Sequence, residues 1–119
     1  MGQKINLLIV DDSERVRRMI KRLIKGVLAE VWECSDGSQA LEAYTEYHPD
    51  WVLMDIEMKD VDGITATREI ITAFPDARIV IVSNYDSYEL REAASEAGAR
   101  AFCSKANLLS LRSLLEGTR

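Results

Sequence analysis

Several residue types are scarce in this chain, and each scarcity closes off a class of chemistry. It has one histidine, His48, which is too few for a zinc centre of the His/Cys type. Its two cysteines, Cys34 and Cys103, sit in or beside apolar strand-like runs and read as buried thiols, consistent with a reducing compartment. The six glycines never form G-x-G-x-x-G or a Walker loop, which disfavours a bound dinucleotide or ATP cofactor. The apolar stretch after Lys4 is interrupted at Asp11 and is far too short for a signal peptide or a membrane span. Met1-Gly2 raises the question of myristoylation, but position 6 is Asn where Ser or Thr is wanted. A formal net charge of -5 speaks against non-specific nucleic-acid binding by this domain, because phosphate contacts need a basic surface. The expectation is a cytoplasmic protein with no membrane partner.

What the chain does have is a set of short apolar runs that stop at polar residues. Trp51 to Met54 delivers Asp55, and Ile5 to Val10 ends at Asp11-Asp12. Arg78 to Ser83 ends in a hydroxyl, and Ala101 to Lys105 ends in an ammonium. A further strand is expected over Glu30 to Ser35, followed by an Asp36-Gly37 turn. Helical stripes alternate with these runs. Val16, Met19, Ile20, Leu23, Ile24 and Val27 form the first; Ala40, Leu41 and Tyr44 form the second, ending near His48-Pro49. His48, placed before a proline, is expected to be an extended surface loop residue.

Ile64, Thr67, Ile70, Ile71 and Phe74 form the third helix, preceded by a loop from Ile56 to Gly63. The fourth is expected over Tyr85 to Ala97 with Gly98 as its stop, and a closing helix is capped by Asn107 with Leu108, Leu111 and Leu115 inward. The fourth is weak, because its inner residues Leu90, Ala93, Ala94 and Ala97 are mostly small. Five strands alternating with five helices predict an α/β, doubly wound parallel sheet with helices on both faces. At 119 residues there is room for one domain and one core, so residues 1–119 are expected to form a single domain.

Ligands of open α/β sheets bind outside the carboxyl ends of the strands. That edge should gather Asp11, Asp12, Asp55, Ser83 and Lys105. Asp11 and Asp12 could simply cap the helix that follows, Ser83 could end a strand, and Lys105 could be solvated; the convergence of five such groups favours a site. Clustered carboxylates repel and need a counter-charge, which Lys105 and a divalent cation supply. Mg2+ suits them, being hard and commonly held by one or two carboxylates together with phosphate. A carboxylate can form an aspartyl-phosphate, so the set suits phosphoryl transfer.

Asp11-Asp12 after the first strand, Met54-Asp55 after the third with Asp62-Gly63 following, Ser83 after the fourth and Lys105 after the fifth resemble the receiver domain of two-component response regulators. The resemblance spans about Ile5 to Leu115. It implies the flavodoxin-like strand order 2-1-3-4-5, Asp55 as phosphoacceptor, and Mg2+ held by Asp12 and Asp55 directly and by Asp11 mainly through water. Glu57 would offer its backbone carbonyl to the metal. Ser83 and Lys105 would contact phosphoryl oxygens, and Phe102 matches the aromatic position that reorients on activation. The implied partners are a sensor histidine kinase or phosphotransfer protein, with a phosphorylation-dependent homodimer as one form of output through the helix 4/strand 5/helix 5 surface. Ser104 to Leu109 is most similar to receivers attached to helix-turn-helix output domains, although no output domain is expected within these residues.

Three positions depart from the family pattern. Lys59 and Ala106 stand where proline is common, and Asn84 follows Ser83 where a small residue is usual, which bears on access to the site. A small Mg2+-dependent phosphohydrolase is the alternative, since Asp55-Ile56-Glu57 leaves carboxylates two apart. A flavodoxin-like flavin carrier is a third reading, opposed by the missing phosphate loop. The expectation is a switch that assists its own phosphorylation and dephosphorylation and is not a conventional turnover enzyme.

The basic residues Arg15, Arg17, Arg18, Lys21, Arg22 and Lys25 share the outer side of the first helix, opposed locally by little except Glu14. They are either a solvated face or a docking surface for an acidic partner.

Overall fold

In the computed structural model, which describes residues 4–117, the apolar runs become parallel strands and the stripes become helices. Met1-Gly2 lies outside the described residues. The strands are β1 (Ile5–Val10), β2 (Leu28–Cys34), β3 (Trp51–Asp55), β4 (Ile79–Ser83) and β5 (Ala101–Ser104). They pair in the order β2-β1-β3-β4-β5, which puts β3 in the centre. Four crossovers contain α1 (Glu14–Leu23), α2 (Ala40–Tyr47), α3 (Gly63–Ala73) and α4 (Tyr88–Ala97), and α5 (Ser110–Gly117) follows β5.

The near-continuous apolar character of β3 and β4 reflects cover on both faces, and every residue of both strands is buried. Alternate residues feed two cores. Leu8, Val10, Val52, Met54 and Ile81 pack with Tyr44 of α2, Ile70 of α3 and Ala94 of α4. Leu7, Ile9, Leu53, Val80 and Val82 pack with Ile20 of α1 and Leu111 and Leu115 of α5. A one-residue slip of β3 would exchange both sets of contacts, so its register is tightly specified and Asp55 is delivered to one place. Each large apolar side chain buried here contributes roughly 1.5–3 kcal/mol, which offsets the cost of placing polar groups at the strand ends.

Several boundaries differ from expectation, each for a local reason. The first helix stops at Leu23, and Lys25–Val27 form a 3-10 turn around Gly26, a poor helix former, so β2 starts two residues early, at Leu28. The fourth helix starts at Tyr88 and leaves Tyr85 and Asp86 in the preceding loop, because Ser87 caps it by accepting the Leu90 N–H at 3.1 Å. Gly98 ends α4 at φ 106, as expected. Asn107 does not cap α5: it sits in the 3-10 turn Lys105–Asn107, and its carbonyl accepts from the Ser110 hydroxyl at 2.8 Å.

His48 is exposed, as expected, but it is not extended. It closes α2 in a left-handed conformation (φ 47) with its N–H on the Tyr44 carbonyl. Its ring packs edge-on to Phe74 at 5.3 Å, and this contact and the cap outweigh the usual preference of a residue before proline.

Candidate functional site

Four of the five groups expected at the carboxyl edge meet directly. Oxygens of Asp11, Asp12 and Asp55 lie within 4.8 Å of one another. Asp11 and Asp55 are buried at the ends of β1 and β3, and Asp12 is exposed. Lys105, in the turn after β5, places Nζ 2.9 Å from Asp11 Oδ2 and 3.1 Å from Asp55 Oδ1. Its stem is largely covered, so the ammonium is held between the two carboxylates and is not a solvated surface charge.

The acidic pair does not cap α1. Ser13 does, accepting the Val16 N–H at 3.2 Å, while Asp11 Oδ1 accepts the Ser13 N–H at 2.9 Å. Arg17 donates to the Asp11 carbonyl and fixes the same loop from above. Asp12 is thereby left free of a capping role.

Burial pushes the Asp55 carboxyl up to about 6, helped by repulsion from Asp11 and opposed by Lys105. Lys105 itself is pulled down by burial, but its hydrogen bond to Asp11 and the attraction of both carboxylates raise it overall. Three carboxylates against one ammonium leave an excess of negative charge in a partly desolvated place. Such a set of oxygen donors fits a hard divalent cation.

Ser83 is buried at the end of β4, one residue beyond the Val82 that pairs with Asp55, and opposite the Ser104 that precedes Lys105. Its Oγ accepts the Tyr85 N–H at 3.0 Å. Asn84, between them, is exposed. Glu57 is exposed in the loop two residues past Asp55. Phe102 is half-buried on β5, with the Arg91 guanidinium 4.7 Å over its ring.

The loop from Ile56 to Asp62 is folded back onto the strand end. The Gly63 N–H donates to the Ile56 carbonyl at 2.8 Å, and a Cβ on Gly63 would stand 1.8 Å from the Asp55 carbonyl oxygen. Asp62-Gly63, the end of the expected loop, is therefore a cap and a close approach: Asp62 accepts the Thr65 N–H at 2.9 Å and starts α3.

On the basic side of α1, Arg17 and Lys21 are both paired with Glu33 of β2 at 2.8 Å. Their hydrogen bonds to Glu33, Lys21's first, hold that carboxyl below its usual range. The sequence offered no local signal for this, because Glu33 is separated from them by 16 and 12 residues.

The model of the response regulator receiver domain matches residues 7–116. The chain is 43% identical over 100 residues to the chemotaxis protein CheY of Bacillus subtilis (strain 168), covering 83% of each. It is 33% identical over 104 residues to the transcriptional regulatory protein DegU of Brevibacillus brevis, covering 86% of this chain and 44% of DegU. Among solved structures, the CheX-CheY-BeF3-Mg+2 complex from Borrelia burgdorferi matches with a TM-score of 0.87 at 26% identity, covering 98% of this chain and 92% of that one. With the strand order, the strand-end carboxylates and the bridging lysine in place, these matches show that the chain belongs to the receiver-domain family of two-component response regulators, the phosphoryl-accepting switches of those systems.

Proposed function

We propose that Asp55 is the phosphoacceptor of this switch, taking its phosphoryl group from a sensor histidine kinase or phosphotransfer protein. The observation that carries the assignment is the bridge from Lys105 to Asp11 and Asp55: it leaves Asp55 as the buried carboxylate at the centre of the sheet edge with a cation already beside it. In the transfer an Asp55 oxygen forms the new O–P bond as the donor's P–N bond breaks. The released imidazole keeps the electron pair and takes up a proton. Lys105 follows the developing charge onto a phosphoryl oxygen, and the Ser83 hydroxyl donates to another.

Asp12 and Asp55 are the residues that would hold Mg2+, with Asp11 mainly through water and Glu57 by its backbone carbonyl. Bound there, the ion supplies neutralisation of charge on the transferring oxygens. The excess of carboxylate over ammonium supports this, as do the BeF3 and Mg+2 named in the Borrelia complex.

Output follows from the same charge event. Drawing Ser83 and Lys105 toward a phosphoryl group changes the ends of β4 and β5, beside which α4, Phe102 and α5 lie. The surface of α4, β5 and α5 then controls a partner, a second copy or an output domain. We read residues 1–119 as one receiver domain of a cytoplasmic regulator that accepts phosphoryl groups singly and does not turn over a phosphoester substrate.

Intact-mass measurement after incubation with a small phosphodonor and Mg2+ tests this. One added phosphoryl group on the native chain and none on Asp55→Asn is the expected result. Undiminished labelling of Asp55→Asn overturns the assignment, and repeated turnover of a phosphoester would favour a hydrolase.

A further inference from the structure

The carboxylate of Asp36 spans two loops. It lies in the turn between β2 and α2, outside the Asp11, Asp12 and Asp55 cluster. Its Oδ2 accepts the Ser38 N–H of its own turn at 2.9 Å. It also accepts two N–H groups from the tip of the loop after β3: Asp60 N–H donates to Oδ1 at 2.9 Å, and Val61 N–H to Oδ2 at 3.1 Å. These donors, Asp60's first and Ser38's next, hold the carboxyl far below its usual range, so it stays ionised and acceptor-only. Gly37 makes the approach possible, since a Cβ there would stand 2.3 Å from the Val61 carbonyl oxygen.

The loop from Ile56 to Asp62 is thus tied at both ends of its arc. Its neck is closed by Gly63 against Asp55 and Ile56, and its tip is closed by Asp36. Between these anchors run Glu57, Met58 and Lys59 with no proline to stiffen them. The conformation of Glu57, whose carbonyl faces the metal in the proposed function, then depends on a side chain that touches neither metal nor phosphoryl group.

We infer that Asp36 is a positioning residue for the site: by holding the Asp60 and Val61 amides it sets the loop that follows Asp55 and so tunes divalent-cation affinity. The inference rests on the Mg2+ reading above. A supporting group of this kind typically affects metal affinity by ~10–100-fold.

The test uses the full chain and two variants. Asp36→Asn keeps the shape but loses the charge and one acceptor. Asp36→Ser retains a hydroxyl for the local Ser38 turn, which helps the variant fold, but is too short to reach the second loop. Calorimetric titration with Mg2+ alone should show affinity weakened roughly 10-fold in both. Amide exchange of the metal-free proteins should rise at Asp60 and Val61 while the β3 and β4 amides remain protected. In phosphorylation with a small donor, the Mg2+ concentration for half-maximal rate should rise while the rate at saturating Mg2+ is retained. Native-like Mg2+ affinity in the folded Asp36→Ser variant overturns the inference. Failure of the native chain to bind Mg2+ overturns the metal reading instead, and the inference with it.

Discussion

The guanidinium of Arg91 lies 4.7 Å over the ring of Phe102, and the same group grips Asp86 through Nε and Nη2 at 2.6 and 3.0 Å. Helix α4 is thereby tied to the half-buried aromatic of β5 by one cation whose far side is anchored in the loop just before its own helix. Because α4 buries only the small Ala94 and Ala97 fully, with Leu90 partly buried against the core, this tie adds a modest cation–π contact to a light hold on the sheet.

Arg91→Ala should therefore loosen α4 selectively. Amide exchange should increase from Tyr85 to Phe102 and stay constant in β1 and β3, and the change produced by phosphorylation in that segment should shrink, because part of it has already occurred. Equal protection in both forms would show that the contact carries no such weight.

Gly63 should tolerate no side chain. A Cβ placed 1.8 Å from the Asp55 carbonyl oxygen forces the backbone of β3 or α3 to move, and overpacking of this kind costs about 1–3 kcal/mol. Urea unfolding of Gly63→Ala should show that loss, with slower phosphorylation because the displaced strand end carries the proposed acceptor, Asp55.

Asp55 gives the metal-free protein a defined pH dependence. Its folded pKa of about 6 lies above the ordinary value of 3.8, so between these the folded state binds more protons than the unfolded state, and stability falls as pH rises through that window. Asp55→Asn should remove the penalty: its melting temperature should exceed that of the native chain at pH 7 without Mg2+, and the difference should narrow toward pH 4. The gain should be on the order of 1–3 kcal/mol, since each tenfold change in proton affinity corresponds to about 1.4 kcal/mol and Lys105 loses a partner. Added Mg2+ should reverse the ranking.

Asn84 is exposed beside the buried Ser83, just past the carboxyl end of β4. Asn84→Ala should widen the approach and speed both small-donor phosphorylation and loss of the label, by roughly two- to ten-fold, about 0.4–1.4 kcal/mol in each barrier. Rates equal in both directions would remove this role from Asn84.

The basic surface of α1 left to any partner is narrower than six basic residues suggest. Arg17 and Lys21 are engaged by Glu33, whereas among the described residues Arg18 has only a 3.7 Å contact with Glu14, and Arg15 is exposed. Reversing the charge of Arg15 and Arg18 should slow transfer from the cognate kinase, most at low salt, and leave small-donor labelling intact.

The sheet and the strand-end groups could be read from the sequence because the signals are local: an apolar run of strand length, then a carboxylate, hydroxyl or ammonium. Asp55, Asp11, Asp12 and Lys105 were each recognisable in this way, and the sheet brings them together. Contacts set only by tertiary approach were not legible. Asp36 read as a turn residue, since backbone amides 24 and 25 residues away carry no side-chain signature. Glu33 likewise gave no hint that it would neutralise part of α1. Helix ends moved where a side chain other than the expected one supplied the cap, as Ser87 and Asp62 did.

The lysine that bridges Asp11 and Asp55 lies just past the last strand to be made. During synthesis the ribosome releases the carboxylates of residues 11, 12 and 55 well before Lys105, so a chain halted before β5 holds the mutual repulsion and lacks its relief. The same holds for any cut that separates β5 and its following turn from the rest, since no continuous fragment short of residues 11–105 contains the whole constellation. The bridged site is therefore a report on completion of the fold: a chain that stops or is cut before residue 105 carries the carboxylates without the ammonium that joins them.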